Sequence, residues 1–137
     1  MSTHAPVPGD ARHNGVFLLA PDRFEPLDGE ARDKGLCVCR ADLLGCRDKA
    51  DLLARLAVAL RCPDSFGDNW DALADALRDL SWLPATGVAL LCDHADALCN
   101  AGVAVFATLK DVCRDAAHFR RAQGTAFFAA FAVTEPG

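Results

Sequence analysis

Val88-Ala89-Leu90-Leu91-Cys92 is a run of five apolar residues entered through Pro84 and Gly87. Successive residues of a strand point to opposite faces of a sheet, so a strand with one wet face alternates apolar and polar side chains. This run does not alternate. It is also short and bounded by breakers, which favours a strand covered on both faces over a buried helix. Such a strand belongs to a parallel sheet with helices laid against it.

The flanking chain supplies the other parts. Leu36-Cys37-Val38-Cys39 and Ala126-Phe127-Phe128-Ala129-Ala130-Phe131-Ala132-Val133 read as further strands, and Val16-Phe17-Leu18-Leu19, closed by Pro21, as a short one. Residues 21–35 read as loop. Asp48 or Asp51 caps a helix whose Leu53, Leu56, Ala57 and Leu60 form one stripe, ended by Pro63. A second helix opens at Asp68 or Asn69. A third helical stretch runs from about Asp93 to Ala117, broken near Gly102, with Val105, Phe106, Leu109, Val112, Cys113 and Ala116 on one side. The expected fold is an α/β domain: a small parallel β-sheet of about three strands, to which an N-terminal strand would be an addition, flanked by helices. Residues 1–14 are expected to be a flexible segment, 15–35 an extension carrying the short strand, and 36–133 the main domain.

The chain of 137 residues fits one domain. No apolar run approaches the roughly 20 residues of a membrane-spanning helix. Met1 to Gly15 lacks the basic start and apolar centre of a secretory signal. Seven cysteines without paired-loop spacing point to reduced thiols and a cytoplasmic protein. A formal charge of −5 argues against direct nucleic-acid binding and for a basic partner.

The charge concentrates in Ser65 to Leu80, SFGDNWDALADALRDL. At about 100° per residue, Trp70, Leu73, Leu77 and Leu80 share one side of a helix while Asp68, Asp71, Asp75 and Asp79 share the other. Like charges at i, i+4 oppose a helix by roughly 0.2–0.5 kcal/mol per pair. Asp68 and Asp71 sit in the first turn, where the helix dipole favours them; Asp75 and Asp79 have no such explanation. The aspartate face is either a solvated surface or a binding surface for a basic partner.

Pro63-Asp64-Ser65-Phe66-Gly67-Asp68-Asn69-Trp70-Asp71-Ala72-Leu73-Ala74-Asp75 resembles the signature of the barstar family: a proline, an aromatic-Gly pair, an acidic-Asn pair, then Asp-Ala-Leu opening the inhibitory helix. The similarity extends more weakly from about Leu36 to Phe131; residues 1–35 lie outside it. Members of that family are intracellular inhibitors of barnase-type ribonucleases. The resemblance implies a noncatalytic protein, of immunity or antitoxin type, that pairs as a monomer with a basic extracellular-type ribonuclease or ribonuclease toxin and covers its active site. The barnase–barstar pair is itself a standard example of charge-steered association, so salt-sensitive binding is carried over from the family.

Transferred by position, Asp75 is the central carboxylate, Asp71 its neighbour one turn earlier, and Ser65, Phe66, Gly67, Asp68 and Asn69 the contacting loop. Asp79 continues the face. Asp115 is either a further acidic contact from the later helix or a solvated carboxylate. The family often has an aromatic where this chain has Ser65 and a large aromatic where it has Ala74, so both positions point to a partner with a differently shaped cleft.

Other constellations carry less. Cys37 and Cys39, or Cys92 and His94, have zinc-type ligand chemistry, but no CxxC pair completes a site, and burial explains the first two. No phosphate-binding GxGxxG or GxxxxGK[ST] occurs, and no cofactor is expected. Lys110, Arg114, Arg120 and Arg121 suit the C-terminal end of a helix. The competing functions are an acidic module for a basic protein other than a nuclease, and a thiol-dependent enzyme on the same scaffold.

Overall fold

The computed structural model describes residues 6–63, 67 and 69–134. Four parallel strands form one sheet in the order β1-β4-β3-β2, with β1 at Gly15–Leu19, β2 at Cys37–Asp42, β3 at Val88–Asp93 and β4 at Phe127–Ala132. The helices are α1 (Phe24–Asp33), α2 (Lys49–Ala59), α3 (Trp70–Asp79), α4 (Asp96–Ala101) and α5 (Val103–Ala122). The N-terminal strand joins the sheet as an edge, with Gly15 beside Phe128 and Leu19 beside Ala132.

Strand alternation divides the interior in two. Val88, Leu90 and Cys92 of β3 and Phe127, Ala129 and Phe131 of β4 face a core built with α2, α3, α4 and α5. Ala89 and Leu91, with Phe128, Ala130 and Ala132, face a second core whose other wall is α1, through Phe24, Leu27 and Ala31. The placement of α1 follows from chirality. The crossovers β2 to β3 and β3 to β4 travel one way across the sheet, whereas β1 to β2 travels back. Parallel crossovers keep one hand, so the returning helix lies on the opposite face.

Residues 24–33 therefore correct the reading of 21–35 as loop. Pro26 and Gly29 disguise the helix, yet Pro26 sits in its first turn, where no intrahelical N–H bond is lost. Buried Phe24, Leu27, Asp28 and Ala31 have helical spacing. Gly35, at φ +85°, ends it: Leu36 N–H donates to Ala31 carbonyl at 3.0 Å and Gly35 N–H to Arg32 carbonyl at 3.0 Å.

The extension is also held by charge. Arg40, on the α1 side of β2, donates from Nε and Nη2 to the two oxygens of Asp93 at 2.7 and 2.9 Å, and from Nη1 to Asp28 at 3.0 Å. Its guanidinium lies 5.6 Å from the Phe24 ring centre. These contacts raise the Arg40 pKa, chiefly through the hydrogen bonds to Asp93.

The later helical stretch is two helices. Gly102 separates α4 from α5, and a Cβ there would stand 2.5 Å from the Arg47 carbonyl oxygen. Asp48 caps α2 by accepting from Asp51 N–H at 2.9 Å. No helix among the described residues is long and apolar enough to cross a membrane.

Candidate functional site

The helix α3 is fastened to the core along one side. Leu73, Ala76 and Leu77 are buried, Leu80 follows them inward, and Trp70 packs partly against the same cluster. Asn69 caps the N-terminus, its Oδ1 accepting from Ala72 N–H at 2.7 Å. Gly67 lies just before, where a Cβ would come within 3.3 Å of Asn69 Nδ2 and 3.5 Å of Ala72 Cβ. Ser65, Phe66 and Asp68, three residues of the expected contacting loop, lie outside the described residues.

With its apolar side docked, the helix turns Asp71, Asp75 and Asp79 outward, and all three are exposed; Ala74 is half-buried between them and the core. The Asp75 side chain is 83% exposed, and its one ion-pair contact among the described residues is Arg78 Nη2 at 3.8 Å. That long contact between exposed groups neutralises little of the carboxylate. Asp71 stands in the first turn, where the dipole supports it.

Asp79 has a local explanation that sequence periodicity does not provide. Arg120 reaches across from α5 and donates to the backbone carbonyls of Arg78 and Asp79 at 3.4 and 3.3 Å, and to that of Thr86 at 2.5 Å. The guanidinium thus closes the negative end of α3, where Asp79 would otherwise be opposed. Only 5% of Arg120 is exposed. It is a buried cross-strut rather than a member of a solvated basic cluster.

Asp115 is exposed on α5. The helices α3 and α5 lie side by side and both deliver the chain to the same end of the sheet, where Val88 and Phe127 are register partners. The Arg78 guanidinium sits 5.9 Å from the Phe119 ring centre. One turn back from that contact, Asp115 stands at about the level of Ala74 on its neighbour. Phe119, 41% exposed beside the acidic face, is a surface aromatic that the sequence reading missed. Its helical position conceals it, because only the packing of α3 against α5 brings it beside Arg78.

The remaining candidates settle into structural places. Cys37 and Cys39 both face the larger core. Burial pushes the Cys39 thiol up to about 12, with Cys37 adding to the effect. Cys92 and Cys113 are fully buried, and burial raises both. His94 is exposed, with Nδ1 2.8 Å from Asp42 Oδ1. No cluster of three or more potential metal ligands occurs among the described residues.

What the surface offers is a row of carboxylates on a helix docked along its other side, with an Asn69-capped N-terminus at its head and a second helix carrying Asp115 and Phe119 at its flank. Such a surface attracts cations. A search among curated proteins returns no significant match. The family profile described as Barstar (barnase inhibitor) matches residues 36–132. That span contains three of the four strands, the whole of α3 and well over half of the residues, and the chain belongs to the barstar family.

Proposed function

We propose that this protein is a cytoplasmic inhibitor of a basic ribonuclease, which it disables by laying α3 and the loop before it across the nuclease active site. The observation that carries the reading is the outward row Asp71, Asp75 and Asp79, on a helix within the matched family span. Among these, Asp75 lacks both the first-turn position of Asp71 and the Arg120 support of Asp79. A carboxylate held without a close local counter-charge is suited to an incoming arginine or lysine.

Asp71, Ala74, Asp75 and Asp79 form the helical part of the contact; Ser65, Phe66, Gly67, Asp68 and Asn69 form the loop, and Asp115 extends it from α5. Small side chains at Ser65 and Ala74 favour a nuclease that fills the space with its own side chains. One monomer binds one nuclease. The seven cysteines, none disulfide-bonded in the structure, support a reducing compartment.

The test is titration calorimetry and RNA-cleavage inhibition with barnase and with the small basic ribonuclease encoded nearest this protein's own reading frame. The wild-type chain should inhibit one of them stoichiometrically. Asp75→Ala should weaken that complex by about 2–5 kcal/mol, roughly thirty-fold to several thousand-fold, leaving the melting temperature unchanged. Equal affinity of Asp75→Ala for the inhibited nuclease would refute the placement of the site.

A further inference from the structure

At the C-terminal ends of α3 and α5 a cavity of about 540 Å³ opens between Arg78, Leu80, Leu83, Pro84, Phe119 and Arg120. Small-molecule sites fall in the range of about 300–1,000 Å³. Most of this wall is apolar, and the buried charge within it belongs to Arg120. The three acceptors of Arg120 are neutral backbone carbonyls, those of Arg78, Asp79 and Thr86. Its Nε has no acceptor among the described residues and almost no accessible surface, so an incoming acceptor reaches it only when a neighbouring side chain moves aside. Three accepted bonds also leave one terminal N–H over, because a guanidinium carries five donors.

No carboxylate among the described residues pairs with Arg120; Asp79, on the cavity wall, attracts it only through space. Burial disfavours its charged form and lowers its pKa. Arginine nevertheless remains charged at neutral pH, so an unpaired positive charge sits in a low-dielectric pocket. Arg40 in the same molecule shows the completed arrangement, with Nε and Nη2 on the two oxygens of Asp93. The Nε edge of Arg120 lacks that partner.

We propose that the cavity is a binding site for a small monocarboxylate, whose charged end takes the Nε edge of Arg120 and whose apolar body packs against Leu80, Leu83, Pro84 and Phe119. The planar, two-oxygen carboxylate matches the fork of a guanidinium edge. A single charge fits better than a phosphate dianion, because the carbonyls ending α3 and the Asp79 carboxylate already surround the guanidinium with negative potential. Phe119 and Arg78 line the cavity as partly exposed side chains outside the buried core, so the movement that admits the ligand to the guanidinium falls to them. The site lies at the opposite end of α3 from the Asn69 cap and does not depend on the ribonuclease reading.

The probe is benzoate, with benzamide as its neutral counterpart, added to the full ¹⁵N-labelled chain and followed by NMR. Benzoate should shift the Arg120 Nε–H signal and the amides of Leu83, Ala85 and Thr86 with a Kd of about 1 mM or tighter, and benzamide should bind at least about tenfold more weakly. Ser81→Trp, at an exposed residue of the wall, should abolish the shifts with melting unchanged. Arg120→Lys keeps the charge without the fork and should weaken benzoate at least about tenfold. Should Arg120→Lys fail to fold, Ser81→Trp and benzamide decide the matter. Equal binding of the two probes, shifts that survive Ser81→Trp, or an unmoved Arg120 Nε–H signal at about 10 mM benzoate would each overturn the site.

Discussion

Asn14 stands immediately before β1, and its side chain joins three distant backbone groups. Nδ2 donates to the carbonyls of Ala117 at 3.1 Å and Thr125 at 3.0 Å, while Oδ1 accepts from Phe127 N–H at 2.8 Å. One side chain thereby ties the N-terminal segment to the end of α5 and the start of β4. Asn14→Ala strips a partner from each group in a partly buried setting and should cost about 2–3 kcal/mol, read as a lower midpoint in urea unfolding. Nothing near Asn14 in the chain marks it, because all three partners lie more than a hundred residues away. The buried cysteines were legible from composition alone, and their surroundings determine how they titrate. Burial pushes Cys113 up to about 12 from an ordinary value of 9.0. Above pH 9 the unfolded chain releases this proton while the folded chain holds it, so the unfolded state is favoured increasingly. Stability should be constant with respect to this thiol below about pH 9 and fall by about 1.4 kcal/mol per unit toward pH 12. Other buried thiols, Cys39 and Cys92 among them, add to the same alkaline loss, so Cys113→Ala should make the slope shallower by about 1.4 kcal/mol per unit rather than abolish it, in denaturation curves recorded across the interval.

Among the elements, α1 is the one the sequence pattern hid, and its consequences reach furthest into the fold. Without it, Val38, Ala89, Leu91, Phe128 and Ala130 would form an open apolar face on the sheet. Those side chains are small in the middle, Ala89 and Ala130, which lets the helix lie close; Phe24, 1% exposed, fills the space at its start. Phe24→Ala should destabilise the protein by about 3–5 kcal/mol through lost burial and a residual cavity, measured by calorimetry or urea unfolding. Val58→Ala, at an 80% exposed position of α2, should change stability by less than about 0.5 kcal/mol in the same assay. Both β1 and α1 precede the family match, which begins at residue 36. They complete a second core beneath the same sheet, while α3 keeps its aspartates outward on the other side. For α3 itself the pattern went most of the way: its apolar spacing named the docked side and narrowed the start to Asp68 or Asn69, of which Asn69 makes the capping bond to Ala72 N–H. Pro26 and Gly29 weakened the equivalent signal in α1, whereas the stop at Gly35 was readable but had no recognised helix to end.

The whole molecule carries a formal charge of −5, with Asp71, Asp75 and Asp79 gathered on one outward helix face. Steering by such a face raises the encounter rate with a basic protein and is screened within about 10 Å at 0.1 M salt. Association with the inhibited ribonuclease, followed by stopped-flow fluorescence, should therefore slow at least about tenfold between low ionic strength and about 0.5 M salt, with dissociation changing much less. A salt-independent association rate would remove electrostatic steering from the mechanism. At this scale the division between chain and fold is plain. The sequence by itself determined the parallel sheet, the two-sidedness of α3 and the carboxylate row, because each depends on periodicity within a few turns or on a strand too apolar to face water. The tertiary structure alone decided the side on which α1 lies, the buried reach of Arg120 to the end of α3, the three-way clasp of Asn14 and the approach of Phe119 to the acidic face. Those depend on crossover direction and on contacts between segments far apart in the chain, and local periodicity carries no information about either.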